Sequence, residues 1–114
     1  MERRICKRYP VSVGIEVTET EHHAFFRGST TDVSLSGCYV ATIFPLPIGT
    51  AVDVKMRIND GNIVGHGLVQ TCHPGVGMGI HFTAMTREAI GRLDSYLHAA
   101  VLAAPEDARL TYIR

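Results

Sequence analysis

From residue 51 to residue 58 the chain alternates without a break, with Val52, Val54, Met56 and Ile58 against Asp53, Lys55 and Arg57. Successive side chains on a strand point to opposite faces, so a period of two marks a strand with one buried side. Val11, Val13, Ile15 and Val17 repeat the pattern against Ser12, Gly14 and Glu16. Further strand-like runs cover 24–33, 37–42, 63–73 and 78–82, separated by turn chemistry. Residues 18–23 are polar, Pro45 to Gly49 holds two prolines, and Pro74-Gly75 closes the fifth run. Asn59-Asp60-Gly61-Asn62 reads as a tight hairpin in which Asp-Gly supplies the positive φ, while Gly65 and Gly67 suggest a bulge or barrel bend.

After residue 86 the period changes. Ala89, Ile90, Leu93, Tyr96, Leu97, Ala100, Val101 and Ala104 fall on one helical face, with Thr86 placed as N-cap and Pro105 as a stop. The expectation is a mostly β fold: a six-stranded antiparallel β-barrel, closed so that no edge is left unpaired, with a C-terminal α-helix packed against it. The 114 residues fit one domain, divided into a basic N-terminal arm (1–9), the barrel (10–82) and the helix (86–104).

Charge narrows the function. Eleven basic and eleven acidic residues cancel, which excludes the broad positive surface that long nucleic acid requires. Locally, Arg3, Arg4, Lys7 and Arg8 stand against Glu2 alone, a concentration better suited to a small anion. No apolar run approaches the roughly 20 residues of a bilayer-spanning helix and no signal-peptide pattern opens the chain, so membrane insertion is not expected and a cytoplasmic location is. Cys6, Cys38 and Cys72 lack paired spacing. Cys38 and Cys72 read as small buried hydrophobes, and Cys6, among arginines, as the one thiol with a chance of redox activity.

Two short motifs carry chemistry. Arg4-Ile5-Cys6-Lys7-Arg8 spaces two arginines as RxxxR, and Asp32-Val33-Ser34-Leu35-Ser36-Gly37 follows as DxSxxG. Guanidinium forks suit phosphate oxygens and the O6/N7 edge of guanine. An aspartate accepts from N–H donors such as those of the guanine N1/N2 edge, which no cationic side chain can do. Each motif alone has a plain structural reading, a solvated basic tail for one and an Asx or Ser turn for the other. Together, in this order and bracketing a pair of strands, they describe a site for something both anionic and guanine-like.

This combination resembles the PilZ domain, the bacterial receptor family for cyclic di-GMP. The resemblance extends to Gly77-Met78-Gly79-Ile80-His81-Phe82, which is similar to the family's last strand, and it covers essentially the whole chain. It implies that Arg4 and Arg8 grip a guanine edge and the phosphates, and that Asp32 accepts from the Watson–Crick edge. It further implies that Ser34 touches phosphate or base and that Gly37 admits the ligand. Arg3 occupies the position that in this family tends to set stoichiometry, and a long basic residue there implies two cyclic di-GMP molecules per chain. A stand-alone member without cofactor or metal would reorder its arm on binding and signal in trans to an output protein. The alternative within the same fold is an interaction module that binds a protein without nucleotide.

Other chemistry finds little support. Gly75, Gly77 and Gly79 do not complete a dinucleotide fingerprint, and the histidines lack metal-ligand spacing. No nucleophile elbow surrounds Ser34, so no enzyme activity is expected. With 7% aromatic residues and no tryptophan, a stacking platform for RNA is not visible either.

Overall fold

The structure is a computed structural model that describes residues 7–59 and 61–103. Six strands, β1 (Gly14–Glu19), β2 (Phe25–Val33), β3 (Gly37–Ala41), β4 (Ala51–Ile58), β5 (Gly61–His73) and β6 (Gly77–Met85), precede one helix, α1 (Arg87–Ala103). Every neighbouring pair is antiparallel. The order β1-β2-β3-β6-β5-β4 closes on itself through β1 and β4, giving the expected barrel. The inward sides of the alternating runs form the core, where Ile15, Val17, Val40, Val52, Met56, Ile58, Val69 and Met78 are almost fully buried.

Thr86 caps α1 as expected, its hydroxyl accepting from the Ala89 amide at 3.1 Å. Glu88 in the first turn complements the helix dipole. Ala89, Leu93 and Leu97 bury one stripe of α1 against the barrel, and Arg92 donates to the Asn62 carbonyl at 2.9 Å. Ile90, placed on that face by its spacing, remains 40% exposed.

Three local readings change. Residues 11–13 are not part of β1; the buried Thr30 hydroxyl fastens them instead, accepting from the Val13 amide at 2.9 Å and donating to the Val11 carbonyl at 2.8 Å. The β4–β5 register pairs Ile58 with Gly61, so Gly61 already belongs to the strand. Asn59 takes the left-handed conformation (φ 53°), which a short polar side chain tolerates. Cys72 is only half-buried. A register shift between Val69 and Thr71 changes which side chains of β5 face inward, and a second between His66 and Gly67 is the bulge that the glycines suggested.

A third irregularity was not foreseen. Between Thr30 and Asp32 the β2–β3 register slips by one residue. Before the slip the even-numbered Thr30 faces the core; after it the odd-numbered Val33 does. The inversion turns Asp32 outward, because an unbroken alternation would have buried its carboxylate. The barrel has two ends of different character. One gathers the 34–36 turn, the β4–β5 connection, α1 and the arm; the other gathers the 20–24, 42–50 and 74–76 connections.

Candidate functional site

The arm is rooted on the barrel by a short antiparallel bridge. Tyr9 donates to the Val33 carbonyl at 2.8 Å and accepts from the Val33 amide at 2.9 Å. This places Arg8 beside Asp32, 24 residues away in sequence. Arg8 Nε and Nη2 converge on Asp32 Oδ1 at 3.1 and 2.9 Å. Arg8 is 54% exposed and Asp32 31%, so solvent screens the pair and its contribution to stability is only about 0–1 kcal/mol. Such a contact can be exchanged for a better one at little cost.

The 34–36 turn is self-contained. Ser34 is fully buried and its hydroxyl oxygen accepts from the Ser36 and Gly37 amides at 3.1 and 3.2 Å, while the Ser34 amide donates to the Gly37 carbonyl at 2.8 Å. The direct ligand contact expected of Ser34 therefore has no open face here. The half-buried partner is Ser36, whose Oγ lies 3.0 Å from that of Ser34. Gly37 also has a role in packing. A Cβ there would stand 2.2 Å from the Ile80 carbonyl oxygen, so glycine is required by the approach of β3 to β6. Arg3 and Arg4, together with Cys6, lie outside the described residues.

Arg8, Ser36 and Gly37 line a cleft of about 220 Å³ whose other walls come from Tyr39, Thr71 and His81. Gly79, between Tyr39 on β3 and Thr71 on β5, keeps the floor open; a Cβ there would meet Thr71 Oγ1 at 2.4 Å. Thr71 Oγ1 accepts from the Gly79 amide at 3.0 Å, and Tyr39 Oη lies 2.9 Å from His73 Nδ1. Tyr39 and Thr71 carry no motif, and His81 and Gly79 belong only to the last-strand resemblance. Their signal lay in register: Gly37 faces His81, and Asp32 pairs with Tyr39, so they are the outward neighbours of the DxSxxG turn. Beneath the ion pair, burial pushes the Cys38 thiol up to about 12; the Asp32 carboxylate adds to the shift and Arg8 opposes it.

A larger concavity of about 570 Å³ lies over β1, β4 and β5, with Asp53 and His66 in contact at 2.6 Å on its wall. None of the motif residues borders it. Size favours this hollow, but convergent ionic and hydroxyl groups favour the smaller cleft, and it is chemistry that recognises an anionic ligand. Among the described residues no three His, Cys, Asp or Glu side chains gather as a metal would need, and no helix is long and apolar enough to cross a membrane.

A closed six-stranded antiparallel barrel with one C-terminal helix is the architecture of PilZ structures. The chain belongs to the PilZ domain family, whose model matches residues 2–99. Solved structures agree on the fold. The PilZ domain of YcgR from Escherichia coli, solved with c-di-GMP, is 15% identical with a TM-score of 0.74, covering 95% of this chain and 98% of that one. The PilZ domain of CeSA from a cellulose-synthesizing bacterium is 19% identical with a TM-score of 0.66, covering 82% and 96%. The Bacillus subtilis inhibitor of motility MotI/DgrA is 12% identical with a TM-score of 0.73; the match covers 92% of this chain but only 55% of the Bacillus protein. No curated protein matches the chain.

Proposed function

We propose that this PilZ domain is a cyclic di-GMP receptor whose ligand lies over the Arg8–Asp32 corner of the barrel, and that it is not an enzyme. The observation that carries the reading is the convergence of Arg8 and Asp32 at the rim of a glycine-floored cleft. Family membership supports it, and so do relatives described with c-di-GMP: the YcgR domain, the transcription regulatory factor MrkH and PlzA of Borreliella burgdorferi.

In this reading the ligand replaces one weak exposed ion pair with several stronger contacts. Arg8 turns its fork from Asp32 to a phosphate or to guanine O6/N7, and Asp32 accepts from guanine N1–H and N2–H. Arg4 adds a second fork. Arg3 sets the stoichiometry at two ligands per chain. Ser34 and Gly37 act through the turn, which holds the Ser36 hydroxyl toward the cleft. Good bidentate contacts are worth about 1–3 kcal/mol each, and micromolar affinity needs about 8 kcal/mol in total, so a few suffice after the arm is ordered. Tyr9 is already bridged to Val33, so reordering concerns the residues before it. The domain acts in the cytoplasm and passes occupancy in trans to an output protein.

One observation favours the alternative of a PilZ barrel that binds protein without nucleotide: Arg8 and Asp32 satisfy each other, and Ser34 satisfies its own turn. Calorimetry with cyclic di-GMP, cyclic di-AMP and GTP separates the two. The receptor reading expects micromolar or tighter binding of cyclic di-GMP alone. No binding at about 100 μM ligand, roughly −5.5 kcal/mol, would leave the interaction-module reading in its place.

A further inference from the structure

The end of the barrel opposite the arm carries a second surface. Five large apolar side chains stand in solvent there: Phe25 (57% exposed), Ile43 (66%), Phe44 (86%), Ile48 (66%) and Val76 (61%). Between the start of β2 and the 42–46 segment runs a groove of about 540 Å³ lined by Phe25, Phe26, Ile43, Phe44, Leu46 and Met78. Isolated exposed apolar residues are ordinary, but a cluster around a groove marks an interaction site.

The platform is fixed rather than frayed. The Thr42 amide donates to the Val76 carbonyl at 3.1 Å and the Gly75 amide to the Ile43 carbonyl at 2.9 Å. The Leu46 amide reaches Met78 Sδ at 3.4 Å, and the Gly49 amide donates to the Val69 carbonyl at 2.8 Å. The backbone thus holds Ile43 and Phe44 outward. No core of their own requires this.

Charge selects the occupant. Residues 18–26, 42–52 and 73–78, which build this end, include Glu19, Glu21 and three histidines and no lysine or arginine; Glu19 is paired with His22 at 2.9 Å, so Glu21 is the exposed acidic group. Arg27, one step along β2, sits 5.7 Å over the Phe25 ring and is paired with Glu16 at 3.2 Å. An anionic lipid surface attracts basic residues, which this end does not offer. A second copy would bring Glu21 against its own kind. The closed barrel leaves no strand edge for a peptide to extend. What remains is a side-chain anchor seated in the groove, with positive charge beside it.

We propose that this end is the docking surface for a partner protein that presents an apolar segment flanked by lysine or arginine. Its place as the receiver of the cyclic di-GMP signal rests on the receptor reading; the docking itself does not.

The test titrates the full chain with two labelled 16-residue amphipathic peptides by fluorescence anisotropy. Both carry leucine at i, i+3, i+4 and i+7; the polar face is lysine in one and glutamate in the other. The lysine peptide should bind at least tenfold more tightly than the glutamate peptide. The double variant Ile43→Ser/Phe44→Ser should lose at least tenfold of that affinity, and Glu21→Lys should narrow the difference between the peptides. All the substituted side chains are exposed, and thermal unfolding of each variant checks that the barrel persists. Equal binding of both peptides, binding of neither, or full affinity in the double variant overturns the proposal. So does dimerisation through this face in sedimentation velocity, or co-sedimentation with vesicles of 30% phosphatidylglycerol in phosphatidylcholine that the double variant abolishes. Cyclic di-GMP calorimetry on the same samples keeps the readings apart. The double variant should bind the ligand like wild type, and absence of ligand binding in both would remove the receptor reading while the peptide result stands.

Discussion

Replacing Asp32 by asparagine keeps the shape of the side chain and removes its charge, which separates the cost to the fold from the cost to recognition. The ion pair with Arg8 is largely solvent-exposed, so its loss costs the fold about 0–1 kcal/mol, a shift of the unfolding midpoint of no more than about 5 °C. Recognition depends far more on the carboxylate. Its charge-assisted bonds to two guanine N–H groups are worth about 1.5–3 kcal/mol, and the asparagine amide offers one acceptor and an opposing donor. Freeing Arg8 returns up to about 1 kcal/mol, because the ligand no longer competes with Asp32 for the guanidinium. The net expectation is a loss of about 1–2 kcal/mol, or about five- to thirtyfold in Kd for cyclic di-GMP. Calorimetry and a thermal melt on the same sample read both quantities. A Kd within threefold of wild type would refute the role given to Asp32. A melt lowered by more than about 10 °C would show instead that the ion pair is structural, and that the exposure argument misjudged it.

Arg8→Lys should weaken cyclic di-GMP binding about tenfold with an unchanged melt, since an ammonium cannot make the bidentate contact; wild-type affinity would reduce the role of Arg8 to simple charge. Arg3→Leu should shift the calorimetric stoichiometry from two ligands per chain toward one, and a ratio of one in the unmutated protein would remove Arg3 from the site. Gly37→Ala should destabilise the fold by about 1–3 kcal/mol in urea titration, because its Cβ would stand 2.2 Å from the Ile80 carbonyl oxygen in a tightly packed wall. For Cys38, the folded thiol is raised to about 12 from an ordinary value of 9.0, so the folded state favours the neutral form. Its stabilising effect is complete below about pH 9 and is lost as pH rises toward 12; Cys38→Ala should show a shallower fall in unfolding midpoint over that window, and equal slopes would contradict the burial.

The barrel was legible because its evidence is local. Alternation in 51–58 and the change of period after Thr86 are properties of adjacent residues, and both survive in β4 and α1. The β4–β5 hairpin was placed one residue late because Asp-Gly is the stronger turn signal, whereas the register put Asn59 in the left-handed position. Cys72 was read as buried from the apolar run around it; unbroken alternation from Val69 would have turned it outward, and the register shift between Val69 and Thr71 leaves it half-buried.

The site was legible in a different way. RxxxR and DxSxxG named Arg8 and Asp32, yet neither motif says how an aspartate in a strand comes to face outward. That depends on the slip between Thr30 and Asp32, which is set by how β2 pairs with β3 and leaves no composition signal. Without the slip, Asp32 would take the buried position that Val33 occupies, and an unpaired carboxylate in the core would cost several kcal/mol. With it, the same residue meets Arg8 across the Tyr9–Val33 bridge. Ser34 illustrates a related point. DxSxxG marks Ser34, but a hydroxyl that accepts from the next two free amides of its own turn is already occupied, and the side chain left facing the cleft is Ser36. Sequence motifs record which residues a site needs. Whether a residue is free at the surface or held within the wall is decided by burial and register, and here those leave Asp32 facing outward and Ser34 buried in its own turn.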